Sequence, residues 1–224
     1  KFMMHMIWPE HCPVCGRPAV SFCPECLASC VLPLPPFCIE CGGKYDGSCC
    51  VSSSPAYALS MHGGNSREFL LDLKYRNARS LGMPMGRLMA DNAQYINADL
   101  LVPIPLHKGS KREYNQTELL AQGISERWNI PVASDALFWK EEFKRQTEKN
   151  GHSRMMLPCD SISLTEMKRG TKIILIDDVY TTGATLRAAK FAAEKSGAVV
   201  AGAMLWSRRL LTEENPISWK NTEE

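Results

Sequence analysis

The chain lacks any apolar run near the ~20 residues that a membrane-spanning helix needs. Its apolar opening, residues 1–8, stops at Pro9, too short for the core of a secretion signal. No membrane insertion is expected, and the cytoplasm is the default location. A charge excess is lacking too: 26 Lys and Arg against 24 Asp and Glu leave a formal net charge of +2, so the overall balance points to no class of partner. Residues 1–50 contain only Lys1, Arg17 and Lys44 as bases, too few for that segment to gain much from counterion release on nucleic acid. No Walker-type loop, with its Lys after Gly, is present, which argues against a nucleotide triphosphate site. Beyond residue 50 only one cysteine remains, Cys159.

The other nine cysteines are crowded between Cys12 and Cys50. Without a secretion signal, and with CxxC pairs in place of scattered cysteines, metal binding is favoured over disulfides. Cys12-Pro-Val-Cys15 and Cys23-Pro-Glu-Cys26 form two knuckles. Each aims two thiolates at one point, and two such turns complete a tetrahedral zinc site. A redox CxxC is the alternative, but no βαβ pattern adjoins these pairs. With no open coordination position the metal is structural. A third knuckle, Cys38-Ile-Glu-Cys41, is followed by Cys49 and Cys50, which are adjacent in sequence. Neighbouring cysteines seldom ligate one ion comfortably. The candidate second set is Cys38, Cys41, Cys49 and Cys50, with Cys30 as the alternative ligand. So small a ribbon has little core and depends on its metal for order.

At 224 residues and 45% hydrophobic content, the chain suits one medium domain plus a small appendage. The division is drawn at a Cys-rich double ribbon over 1–54 and a main domain over 55–224. Residues 51–64, rich in Ser and Gly, read as the passage between them. Helices are expected over 66–76, with Lys74 and Arg76 exposed, over about 84–95, and over 114–128. Residues 99–105, D-L-L-V-P-I-P, read as a buried strand leading into a basic loop that holds His107, Lys108, Lys111 and Arg112. A solvated surface loop is the plain alternative for such a cluster. An edge segment over 138–144 leads into 145–157, which has little apolar periodicity and reads as a mobile lid. Residues 212–224 read as a loosely held tail.

The most informative stretch is 173–185, I-I-L-I-D-D-V-Y-T-T-G-A-T. A β-branched run at 171–176 forms a strand buried on both faces, expected to end at Asp177 and Asp178. The turn at 181–185 opens an alanine-rich helix, 184–195, and an apolar strand at 198–206 completes a strand–helix–strand unit. A helix N-terminus seats phosphate well. Gly183 permits close backbone approach, and Thr181, Thr182 and Thr185 add hydroxyl donors. Asp177 and Asp178 repel phosphate but accept hydrogen bonds from sugar hydroxyls. Acidic pair and phosphate cradle together fit a phosphorylated sugar. The bland alternative is a helix cap in a generic strand-to-helix turn.

This string resembles the phosphoribosyl diphosphate (PRPP) motif of type I phosphoribosyltransferases. The resemblance implies their α/β fold, a mainly parallel sheet flanked by helices. It assigns PRPP binding to Asp177, Asp178, Val179, Tyr180, Thr181, Thr182, Gly183, Ala184 and Thr185. It implies a pyrophosphate loop of Leu106, His107, Lys108, Lys111 and Arg112, and Mg²⁺ with the diphosphate. Taken with the cysteine ribbons, L-L-D-L-K-Y-R at 70–76, L-V-P-I-P-L-H at 101–107 and Asn115-Gln116, the chain resembles the ComF family. That family is competence-associated, with an N-terminal zinc ribbon before a phosphoribosyltransferase domain. Its R-x-R-G-F-N-Q pattern stands here as S-K-R-E-Y-N-Q at 110–116, and its lid pattern keeps Gln146 and Arg154. These departures fall on the acceptor side, while the PRPP motif is intact.

Two functions follow from the resemblance. One is transfer of phosphoribosyl from Mg-PRPP to an acceptor with pyrophosphate release. The other is a non-catalytic PRPP sensor or single-stranded-DNA adaptor of the competence machinery, with a helicase as partner. No general base is identifiable from sequence.

Overall fold

Apolar side chains alternating along a strand face two layers when both sides of the sheet are covered. That is the arrangement in this computed structural model, which describes residues 11–18, 22–107, 110, 112–140 and 157–210. In order, the elements are α1 (Pro24–Ala28), β1 (Phe37–Cys38), β2 (Pro55–Met61), α2 (Gly64–Tyr75), α3 (Gly82–Asp91), β3 (Leu100–Pro103), α4 (Gln116–Trp128), β4 (Leu137–Trp139), β5 (Ile162–Leu164), β6 (Lys172–Tyr180), α5 (Ala184–Lys195) and β7 (Val199–Arg208). The main sheet has the order β1-β2-β7-β6-β3. Its four longer strands run parallel, while β1 joins β2 antiparallel. β4 and β5 form a separate antiparallel pair.

Ile174, Ile176, Met204 and Trp206 face a core shared with Phe69 and Leu73 of α2, Met85 and Met89 of α3, and Leu120 and Ile124 of α4. Ile173, Leu175, Ala203 and Leu205 face the other core, against Leu186, Ala188, Ala189 and Ala193 of α5. Small residues on α5 let that helix lie close to the sheet.

The expected helices are present, with shifted ends. The passage at 51–64 is not a simple linker, because Pro55–Met61 is β2, the parallel neighbour of β7. Its serines hid a strand whose apolar content is modest. Nor does the strand before the acidic pair stop at Ile176. β6 runs on to Tyr180 because β7 continues beside it, pairing Asp177 with Leu205 and Tyr180 with Arg208.

The segment between the cysteine groups also belongs to the sheet. Leu32 and Leu34 donate their amides to Leu59 (3.0 Å) and Ala58 (3.1 Å) of β2. Phe37 and Cys38 then pair with Ala56 and Pro55. Phe37 and Ile39 are fully buried. The ribbon region is thus sewn along the outer edge of β2.

Helices α3 and α4 meet backbone to backbone at Gly86 and Gly123. A Cβ on Gly86 would lie 2.1 Å from the Leu120 carbonyl oxygen, and one on Gly123 would lie 2.2 Å from that of Met83. Neither oxygen is free to move. Gly86→Ala is therefore expected to cost about 1–3 kcal/mol through overpacking, read as a lower midpoint in denaturant unfolding.

Candidate functional site

In a parallel α/β sheet, ligands gather at the carboxyl ends of the strands. The loop after β3 and the end of β6 both lie there and share a cleft of ≈ 320 Å³. Its lining brings Leu106, His107 and Arg112 together with Asp177, Asp178, Val179, Thr181 and Thr185. Lys108, Lys111, Gln146 and Arg154 lie outside the described residues. Sequence reasoning passed over three neighbours that the cleft includes: Lys74, Gln116 and Trp139.

Lys74 corrects the expectation of an exposed side chain. It reaches from α2 to Asp178 at 2.9 Å, with side-chain exposures of 16% and 9%. Gln116, the first residue of α4, donates Nε2 to Asp178 Oδ2 at 2.6 Å. Its Oε1 accepts from Arg112 Nη1 at 2.7 Å. Asp178 shares the strand parity of Ile174 and Ile176, which places it on the face covered by α2 and α4. The signal was in the sequence: Lys74 belongs to the quoted L-L-D-L-K-Y-R string, and Gln116 to Asn115-Gln116. Arg112 Nε is buried with no hydrogen-bond partner among the described residues, a donor suited to an anion.

Asp177 forms no direct ion pair among the described residues and feels the Lys74 charge only at a distance. It accepts the Asp178 amide at 2.8 Å. Burial, with the Asp178 charge next in size, pushes its carboxyl up to about 8 from 3.8. The pair is therefore unequal, and Asp177 is the member that a ligand's hydroxyls or cation would recruit.

The turn after β6 is shaped by Gly183, with φ of 76°. A Cβ there would meet the Tyr180 hydroxyl at 2.4 Å and Arg187 Nη1 at 2.8 Å. Gly183 is the N-cap of α5. Thr181 and Thr185 border the cleft, whereas Thr182, Gly183 and Ala184 shape the turn without lining it. Tyr180 does not join the cleft. It is buried with its hydroxyl donating to Ile39 O at 3.3 Å, and Phe37 packs edge-on at 4.8 Å.

Beside the cleft is a second cavity of ≈ 830 Å³, bordered by Lys74, Tyr75, His107, Arg112 and Tyr114. Arg112 lies 5.2 Å above the Tyr75 ring and Arg79 lies 4.8 Å above that of Tyr114. Tyr75 is 68% exposed.

The ligand atoms of Cys12, Cys15, Cys23 and Cys26 all lie within 4.8 Å of one another, and those of Cys38, Cys41, Cys49 and Cys50 form a second such group. Sulfurs tetrahedral about Zn²⁺ at ~2.3 Å sit roughly 3.8 Å apart, so both sets fit a metal. The adjacent Cys49 and Cys50 do converge on Cys38 and Cys41, following a bend in which Asp46 accepts the Ser48 amide at 2.8 Å. Cys30 is not the alternative ligand. It is buried, donates toward Cys26 O at 3.6 Å, and its thiol is pushed up to about 12 by burial. Within the first set, burial raises Cys12, but amides of Cys15, Val14 and Cys23 outweigh it and hold the thiol at about 6. Burial and the neighbouring thiols push Cys23 up to about 12. Four thiolates become compatible only around a cation.

Comparison with known proteins adds the class. Residues 115–224 match the model of the phosphoribosyl transferase domain, and the parallel sheet with its cleft after β6 agrees with that fold. The competence protein ComFC of Bacillus subtilis (strain 168) is 36% identical over 102 residues, which cover 44% of this chain and 40% of that protein. The cysteine clusters ahead of the matched segment, together with this relative, agree with the resemblance to the ComF family carried by the sequence. Solved structures that align with it include UMP synthase from Leishmania donovani, with a TM-score of 0.36 and 16% identity, over 89% of this chain and 33% of that one. Adenine phosphoribosyltransferase from Thermoanaerobacter pseudethanolicus aligns with a TM-score of 0.39 and 12% identity, over 83% and 99%. Orotate phosphoribosyltransferase from Aeropyrum pernix aligns with a TM-score of 0.34 and 14% identity, over 89% and 87%. No described helix is long and apolar enough to cross a membrane.

The raised Asp177 carboxyl has a pH consequence. Between 3.8 and about 8 the folded chain keeps a proton here that the unfolded chain has released. Stability from this group is full below that window and is lost as pH rises through it. The denaturant midpoint is expected to fall from pH 5 to pH 8 by more in the unaltered chain than in Asp177→Asn. Parallel slopes in the two would contradict it.

Proposed function

We propose that the cleft binds PRPP. The observation that carries this reading is the unequal acidic pair ending a doubly buried strand immediately before a glycine-shaped helix N-terminus. Asp177 and Asp178 accept the ribose hydroxyls, and the 181–185 turn holds the 5′-phosphate with amides and the Thr181 and Thr185 hydroxyls. Lys74 fixes the Asp178 carboxylate in place through their ion pair at 2.9 Å. Arg112, with its unsatisfied Nε, takes the pyrophosphate side, joined there by Lys108 and Lys111 of the same loop. Gln146 and Arg154 belong to the lid of this reading. Mg²⁺ bound with the diphosphate would supply charge neutralisation, and Asp177 is the carboxyl group that would help to hold it. The metal of the cysteine clusters is zinc in a closed, structural role. The same reading divides the chain into a ribbon over 1–54 and a transferase unit over 55–224.

The reaction is phosphoribosyl transfer with pyrophosphate as leaving group, through a transition state of oxocarbenium character like that of glycoside cleavage. Arg112 stabilises the charge that grows on the departing diphosphate. The neighbouring cavity, with its two tyrosine rings under arginines, suits a planar acceptor. The same exposed Tyr75 favours one second reading, an adaptor that stacks the bases of single-stranded DNA. The name of the Bacillus relative supports a place in competence, while DNA uptake and a helicase partner rest on the family resemblance alone.

Calorimetric titration with Mg-PRPP tests the donor. Asp178→Asn is expected to weaken binding about 10–100-fold, the range for losing charged hydrogen bonds, and Thr181→Val about tenfold. Pyrophosphate release is then scanned over free bases and single-stranded DNA. Release accelerated by an acceptor, and lost in Tyr75→Ala, supports catalysis. Saturable PRPP binding without release under any acceptor would leave the adaptor.

A further inference from the structure

Three carbonyls of the third knuckle, Cys38–Cys41 and the glycine after it, grip the residues that flank the phosphate turn. Ile39 O accepts the Tyr180 hydroxyl at 3.3 Å, Glu40 O accepts Arg187 Nη1 at 3.3 Å, and Gly42 O accepts Arg208 Nη2. Arg187 Nη1 also donates to Thr182 O at 2.8 Å, so one guanidinium joins the knuckle directly to the turn. Tyr180 and Arg187 are the two side chains against which Gly183 closes. A further tie comes from Lys190, only 1% exposed, whose ammonium meets Glu40 and Glu194 at 2.9 Å each and Ser52 at 2.8 Å.

The opposite side of the same knuckle is organised by sulfur. The Glu40 amide donates to Cys38 Sγ and the Gly43 amide to Cys41 Sγ, both at 3.4 Å. Amide-to-sulfur bonds of this kind strengthen when the sulfur carries charge, as it does when it ligates a cation. The Glu40 and Gly43 amides thus face the cluster sulfurs, while the Ile39, Glu40 and Gly42 carbonyls face the side chains that flank the phosphate turn. The first cluster is placed differently. Cys12, Cys23 and Leu27 join the core under α2 and α3, and Ser29 bonds Asn65 of α2 at 3.0 Å.

We propose that the second cysteine cluster is the positioning element of the phosphate turn. A divalent metal held by Cys38, Cys41, Cys49 and Cys50 fixes the Ile39, Glu40 and Gly42 carbonyls, and Tyr180 and Arg187 transmit that geometry to residues 181–185. Affinity for the 5-phosphate of PRPP then depends on metal at a cluster that does not touch the ligand. The proposal rests on reading this turn as the phosphate seat.

The test uses the full zinc-loaded chain. Amide hydrogen exchange over 178–187, zinc content and PRPP affinity are measured in the unaltered protein, Cys49→Ser, Tyr180→Phe and Arg187→Met. Cys49→Ser is expected to lose one zinc equivalent, speed exchange at 181–185 about tenfold and weaken PRPP binding about tenfold, while exchange over Pro24–Ala28 stays unchanged. Tyr180→Phe and Arg187→Met are expected to keep both metals and show the same local loosening. Loss of the second zinc with unchanged exchange at 181–185 would overturn the proposal. If Cys49→Ser unfolds the chain, unchanged exchange in both zinc-retaining variants would overturn it as well. Should the unaltered chain fail to bind PRPP while zinc loss still loosens 181–185, the coupling stands and the ligand reading falls.

Discussion

Two neighbouring carboxylates at the end of a strand buried on both faces would repel each other in a low-dielectric setting, and a cation is required there. Lys74 meets that requirement, and much else is arranged around it. Reaching Asp178 from α2 obliges Phe69 and Leu73 to press that helix onto the sheet. The remaining Asp178 oxygen is taken by Gln116, which sets where α4 begins. Arg112 is then drawn in by Gln116. One ion pair therefore registers two helices and a loop against the tip of β6, and leaves Asp177 as the less engaged of the two acidic groups that line the cleft.

The stretch at 173–185 was legible because its parts reinforce one another. A β-branched run can only be a buried strand, and a Thr-Thr-Gly-Ala-Thr turn ahead of alanines can only begin a helix against a close neighbour. What it did not reveal was direction. Tyr180 sits in the motif, yet the twist near the strand end turns it to the knuckle, while Lys74, read as an exposed helical residue, points inward. A single chain of letters carries the 3.6-residue period of α2, but not which long polar side chain on its margin finds a carboxylate from 104 positions away. Long-range pairing is where local pattern has no purchase.

The cysteines were legible in number and, for the first set, in pairing. The second set was obscured by Cys49 and Cys50, whose adjacency made Cys30 an attractive substitute. Backbone turn geometry decides otherwise, bringing the two sulfurs to Cys38 and Cys41. The serine-rich passage at 51–54 and the strand that follows were similarly hidden, since β2 draws its stability from β7 beside it more than from its own residues.

Leu32, Leu34 and Phe37 lie along β2, and the segment that holds them is pinned by one cysteine cluster at each end. A parallel sheet with an open edge is a template for other chains. Here the cover over that edge hangs between two cysteine clusters able to hold a metal, with no long strand of its own. On the proposed metal binding, loss of the ions would uncover the sheet edge and leave copies of the chain free to join along it.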